Sequence, residues 1–178
     1  MKKIIASILA VVMVTIIGVS SAYAATDIGT PGGEGDTKVT LDAEAATFKV
    51  TVPTVLPYTV DSNGVVSVAD NAKIINESNG PVIVTNVTAK TLDSWKLDEV
   101  GTDFQSVKVN SPEFTMTLNG DNFPAGTTSV LPLGDSWTSI NGNSDFALTY
   151  TGDFAEQSEV IENENIANVI FTISWYTV

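Results

Sequence analysis

The segment Phe48–Lys90 reads FKVTVPTVLPYTVDSNGVVSVADNAKIINESNGPVIVTNVTAK and decides the fold class. At its start, apolar side chains at Phe48, Val50 and Val52 alternate with polar ones, which is the period of a strand buried on one face. The residues DSNG at Asp61–Gly64 then separate two valine-rich runs. An Asn-Gly pair supplies the positive φ that a tight hairpin needs. The segment therefore predicts strands joined by short turns.

The same period of two continues along the rest of the chain, and helical periodicity is weak. Four further segments show it, with these apolar members: Val107 and Val109; Phe114, Met116 and Leu118; Phe146, Leu148 and Tyr150; Val169, Phe171, Ile173 and Trp175. Turn sequences lie between them. Strands at this spacing predict an all-β fold, a two-sheet antiparallel β-sandwich of the jelly-roll kind.

The chain begins with the pattern of a secretory signal peptide. Two lysines precede an apolar run over residues 4–19, and small residues follow up to Ala22-Tyr23-Ala24. We expect cleavage after Ala24 rather than retention as a membrane anchor, because an A-x-A step and then polar, Gly-rich residues follow the run. The predicted organisation is a signal peptide (1–24), a flexible leader (25–36) and one β-sandwich domain (37–178). The expected location is extracellular or at the cell wall.

The charge balance restricts the partners. The chain has 21 acidic residues against eight basic ones, all lysine, for a net charge of −13. Removal of the two lysines of the signal peptide takes this value to −15. Nucleic acids and anionic membranes are poor partners for such a chain, because both need a basic surface. No cysteine is present, so the fold depends on its core and not on disulfides.

The side-chain inventory predicts a protein that is not an enzyme. Without histidine, cysteine or arginine, the chain lacks the usual nucleophile–base pairs, imidazole and thiolate metal ligands, and guanidinium clamps. A carboxylate pair is the one catalytic device left, and no motif supports one. We expect no catalytic residues and no cofactor. Calcium is the most plausible ion, at Asp61–Gly64 or Asn141–Asp145, although both segments are also explained as turns.

The three tryptophans are candidate ligand-binding residues, because aromatic rings stack on sugars, but each has a packing role as the alternative. Trp175 falls on the apolar face of its predicted strand. Trp95 is expected to pack beside Leu97. Trp137 lies in the polar stretch 134–137 and is the best candidate for an exposed ring.

Three features resemble Gram-positive (Firmicutes) cell-surface β-sandwich proteins, and the last two of them resemble the WxL family in particular. An Ile-x-Asn-x-Ser-x-x-Pro-Val-x-Val passage, approximate in its spacing, covers Ile74–Val84, and Trp95-Lys96-Leu97 follows. The last predicted strand carries a Ser-Trp step, although Thr177 stands where that family has leucine. The resemblance implies a β-sandwich held non-covalently at the wall by peptidoglycan or other surface proteins. Trp95, Leu97 and Trp175 would be its signature positions.

The chain also resembles TasA/camelysin-like fibre subunits, which are signal-bearing, cysteine-poor jelly rolls that assemble by lending a strand to a neighbour. The segment Thr37–Leu41 would be the donor strand, unless it pairs within its own domain. The sequence therefore leaves three functions open: a structural or adhesive module of the cell surface, a self-assembling fibre subunit, and a non-catalytic carbohydrate-binding domain.

Overall fold

The structure, a computed structural model, describes residues 39, 41 and 43–177. The predicted signal peptide and leader, residues 1–24 and 25–36, lie outside them. The described part contains thirteen strands and one 3₁₀ helix, Phe104–Ser106. The strands are β1 (Val50–Thr51), β2 (Tyr58–Val60), β3 (Val66–Val68), β4 (Lys73–Asn76), β5 (Val82–Thr91), β6 (Lys96–Leu97), β7 (Glu113–Phe114), β8 (Thr117–Leu118), β9 (Asp121–Asn122), β10 (Thr128–Val130), β11 (Ser144–Ala147), β12 (Tyr150–Thr151) and β13 (Ala167–Trp175).

Antiparallel pairing dominates, as predicted. Three three-stranded sheets have the orders β1-β4-β11, β10-β5-β13 and β12-β8-β9. The hairpin β2-β3 is also antiparallel, whereas β6 and β7 pair in parallel. The predicted all-β, antiparallel class is confirmed. Residues from Glu44 onward belong to one compact unit. Among the residues described, no helix is long and apolar enough to cross a membrane.

The longest ladder joins β5 to β13. Ala167 pairs with Thr91 at one end and Trp175 with Val82 at the other. The register shifts by one residue within the ladder, because β5 contains an extra residue, Thr85. Both strands are rich in the β-branched residues that favour a pleated surface.

The core confirms most of the predicted alternation. Phe114, Met116 and Leu118 are buried, and so are Leu148 and Tyr150. Along β13 the odd-numbered side chains are half-buried against the core and the even-numbered ones are exposed. Thr115 departs from the pattern, since it is buried although its neighbours on both sides are core residues. Its hydroxyl accepts a hydrogen bond from the N–H of Asp153 at 2.9 Å, which satisfies it there.

Two of the predicted strands are wrong in whole or in part, and two more are each divided between two sheets: 113–118 into β7 and β8, and 146–151 into β11 and β12. Val107 and Val109 do not form a strand; they follow the 3₁₀ helix, which Asp103 caps by accepting a hydrogen bond from the N–H of Gln105. Near the N-terminus, β1 is only two residues long, and Phe48 and Val52 are exposed. Proline follows at position 53, and it cannot donate to a ladder, so pairing stops.

The predicted hairpin is present, with a different turn. Of the Asn63-Gly64 pair, Gly64 alone has a positive φ, +78°. The carboxylate of Asp61 accepts hydrogen bonds from the N–H groups of Val65 and Asn63, both at 2.8 Å. These bonds hold the pKa of Asp61 below its usual range. The carboxylate therefore acts as part of the turn.

A buried asparagine joins three separate segments. The side-chain amide of Asn76 donates to the carbonyls of Gly80, Ile140 and Asn141 at 2.9 to 3.0 Å, and its oxygen accepts from the N–H of Ser78. The hydroxyl of Ser78 in turn accepts from the N–H of the residue before β1, at 2.8 Å. We call Asn76 and Ser78 with these partners the Asn76 network. It explains why the Asn-x-Ser pattern is polar in an otherwise apolar region.

Candidate functional site

Trp95 and Leu97 are both buried. The ring of Trp95 packs edge-on against Phe114, with centroids 6.0 Å apart, and its Nε1 donates to the carboxylate of Glu164 at 2.7 Å. Leu97 lies in β6, paired with β7. Trp95 and Leu97 thus pack in the core, and this packing explains why both residues are large and apolar without a role in ligand binding.

Trp137, the best candidate for an exposed ring, is only 7% exposed, so it has the packing role that was its alternative. Its Nε1 donates to the carboxylate of Asp121 at 2.8 Å, and the ring lies 5.7 Å from that of Phe146. The same carboxylate accepts a hydrogen bond from the N–H of Gly134. Asp121 therefore holds the polar stretch 134–137 beside the ring. A polar neighbourhood in sequence therefore covers this tryptophan instead of exposing it.

Trp175 is half-buried at the end of β13. Phe48 meets it edge-on, with ring centroids 5.1 Å apart. A Cβ placed on Gly80 would lie 3.1 Å from the Trp175 ring, so the ring rests directly on that glycine. Among the aromatic pairs of residues 43–177, none joins two tryptophans. The structure does not bring Trp95, Trp137 and Trp175 together in one binding platform.

The segments considered for calcium are occupied by protein contacts. The carboxylate of Asp61 accepts the hydrogen bonds of its own turn. The carboxylate of Asp145 lies 2.5 Å from the ammonium of Lys73. Within the described residues, no three acidic side chains gather as a metal-binding group. Burial raises the pKa of Asp98 above its ordinary value, and repulsion by the nearby Glu113 adds to this. Asp98 directly follows β6 and Glu113 lies in β7, and these two short strands form a two-stranded sheet.

The feature that stands apart is the outer edge of β13. In the sheet order β10-β5-β13 this nine-residue strand has β5 on one side and, among residues 43–177, no strand on the other. The N–H of Leu92 donates to Ile166 and that of Tyr176 donates to Pro81, so even-numbered residues turn their backbone groups toward β5. By the alternation of an antiparallel ladder, the odd-numbered residues direct their N–H and C=O groups away from β5. These residues are Ala167, Val169, Phe171, Ile173 and Trp175.

Nothing along this edge opposes pairing with another chain. Natural edge strands are protected by lysine, proline, bulges or short length. The sequence ANVIFTISW has no charge, no proline and no glycine. The register irregularity lies on β5, at Thr85, so the outer edge of β13 stays regular. We define the open edge as the outward backbone groups of Ala167–Trp175. The alternation of apolar residues predicted this strand, but nothing in the sequence indicated which side of it has no partner.

Comparisons with protein-family models, with curated proteins and with solved structures found no match for this chain. The resemblances to WxL proteins and to TasA/camelysin-like subunits therefore stay predictions.

Proposed function

We propose that the mature chain is an extracellular structural protein whose copies associate by strand addition at the open edge of β13. The carrying observation is the regular, uncharged nine-residue edge strand that has one partner in the described part of the chain. Strand addition takes its affinity from backbone hydrogen bonds and its specificity from alternate side chains. The open edge offers both, because its outward backbone groups belong to residues whose side chains are only half-buried.

The segment that we propose as the added strand is Thr37–Leu41 of another copy. Its sequence, TKVTL, alternates as a strand does. Val39 and Leu41 are 94% and 85% exposed, so these apolar side chains gain most from a partner. An added strand that continues the sheet beside β13 would cover them against its half-buried face. Repetition of the contact from copy to copy would give a fibre.

The two-sheet sandwich is part of this proposal. Side chains from β5 (Val82, Val87 and Ala89) share one apolar cluster with Ile74 of β4 and Leu118 of β8. This arrangement supports a two-layer fold in which the sheet β10-β5-β13 faces the sheets that contain β4 and β8. The open edge then lies at the border of one layer, where an additional strand extends the layer without disturbing the core.

Retention at the cell wall is the setting in which we place the assembly. Its partners there would be peptidoglycan or other surface proteins, and contact would be non-covalent. Concentrated denaturant applied to intact cells would then release the protein from the wall fraction. Recovery of all of it from the culture medium would contradict retention and leave the assembly proposal unaffected.

The assembly is tested by removing one outward hydrogen-bond donor. Val169→Pro deletes an N–H that points away from β5, and proline is tolerated in such edge positions. Val169→Ala is the matched control, because it loses the same side chain and keeps the N–H. We expect polymers, by electron microscopy and sedimentation, from the wild type and Val169→Ala, and few from a folded Val169→Pro. A wild type that stays monomeric, or equal assembly of the two variants, would refute strand addition at this edge.

A further inference from the structure

The outward face of the sheet β10-β5-β13 is free of acidic residues. The three strands together contain no Asp or Glu and a single basic residue, Lys90. This is unusual in a chain with 21 acidic residues and a net charge of −13. The side chains that point outward are short and mostly uncharged: Ile83, Thr85, Asn86, Thr88, Lys90, Thr128, Val130, Asn168, Ile170, Thr172 and Ser174. We call this surface the neutral face.

The centre of the neutral face is an aliphatic row that crosses all three strands. Val130 pairs with Thr88, and Thr88 pairs with Ile170. Val130 and Ile170 are 54% and 52% exposed, so the row places two large apolar side chains in solvent on either side of one threonine. Lys90 lies one pair further along, between Thr128 and Asn168, and does not interrupt the row.

We infer that the neutral face packs against the neutral face of a second copy. Copies of a chain this acidic repel one another, and the repulsion is weakest where neither surface carries a carboxylate. Sheets also pack face to face at about 10 Å through small interdigitating side chains, and the β-branched residues here suit such packing. A two-fold axis near Thr88 would place Val130 of each copy close to Ile170 of the other.

The size of the face determines how strong this contact is. Two strands about 30 Å long and one of about 10 Å, spaced about 4.8 Å apart, cover on the order of 350 Å² per copy. The total of about 700 Å² is less than the roughly 1,200 Å² of a stable interface. The contact is therefore weak between two free copies and becomes persistent when many copies are linked in line. This inference goes beyond strand addition, because it uses side chains of the sheet face and not the backbone of the open edge.

The test keeps the two contacts apart. In the Val169→Pro background, where edge addition is blocked, sedimentation equilibrium should still show a weak dimer. Salt should strengthen this dimer by screening the charge of the copies. Val130→Glu should weaken it by about tenfold or more, because two-fold symmetry places two new carboxylates in the interface, one from each copy. Val160→Glu is the control: it makes the same change at an almost fully exposed valine outside the neutral face.

Each outcome decides the inference. A salt-strengthened dimer that Val130→Glu abolishes and Val160→Glu leaves intact supports it. A Val169→Pro protein that is monomeric at every concentration and salt level overturns it, and so does equal loss from the two glutamates. In the wild-type background, Val130→Glu should leave single fibres and remove their lateral bundling. Loss of the fibres themselves would place this side chain in the edge contact and contradict a separate face.

Discussion

Replacement of Asn76 by alanine should be among the most damaging single changes in the domain. The side chain is fully buried; its two N–H groups are shared among three carbonyl oxygens, and its own oxygen accepts one hydrogen bond. A typical hydrogen bond contributes about 1 kcal/mol net, and a buried group left without a partner costs about 1 to 3 kcal/mol. The carbonyl of Asn141 belongs to an exposed residue, so water can replace that bond. We therefore expect a loss of about 3 to 5 kcal/mol in the free energy of unfolding.

Urea unfolding followed by tryptophan fluorescence measures this loss. The midpoint should fall and the slope m should stay the same, because the surface exposed on unfolding is unchanged. Asn168→Ala is the control, since Asn168 is exposed on β13, and it should shift stability by no more than about 0.5 kcal/mol. A loss below about 1 kcal/mol for Asn76→Ala would refute the view that the Asn76 network holds its three segments together.

Three further changes test other parts of the structure. Gly142→Ala should lower the melting temperature by about 5 to 10 °C, because its Cβ would lie 2.3 Å from the carbonyl oxygen of Asn79, and calorimetry would show it. Asp61 has a lowered pKa in the folded state, so its contribution to stability is present above the unfolded pKa and is lost as pH falls through the folded pKa. Asp61→Asn should flatten that acid limb in urea titrations at several pH values. Asp98 has the opposite sign, because its folded pKa is raised, so stability falls as pH rises through it. Asp98→Asn should therefore raise stability at neutral pH, and an unchanged or lower urea midpoint would contradict this.

The parts of the fold that followed from the sequence are those where one face of a strand is buried. Alternation located β13 and the alternate core residues of 114–118 and 146–150, because burial on one side imposes a period of two whatever the partner strand is. It failed at Val107 and Val109, where Asp103 caps a 3₁₀ helix instead. Local capping bonds compete with a ladder, and a two-residue alternation is too short to show which of them is favoured.

The candidate site was less accessible to sequence analysis. The tryptophans were identified, but their environment depends on partners far away in the chain, such as Asp121 for Trp137 and Glu164 for Trp95. The open edge depends on pairing, and composition gives no information on which side of a strand is left without a neighbour. The absence of acidic residues from β5, β10 and β13 was present in the sequence, yet it had meaning only after the three strands were found in one sheet.

The pairing of β5 with β13 has a consequence for biosynthesis. The longest ladder of the domain joins residues 82–91 to residues 167–175, so it cannot form until the later strand has been synthesised. Over residues 82–87, β10 offers no replacement, because it pairs only with Thr88, Ala89 and Lys90. A nascent chain must therefore carry residues 83–86 of β5 without a strand partner until β13 is made. Translation alone cannot complete this domain step by step, because β13, the main partner of β5, is the last of the described strands.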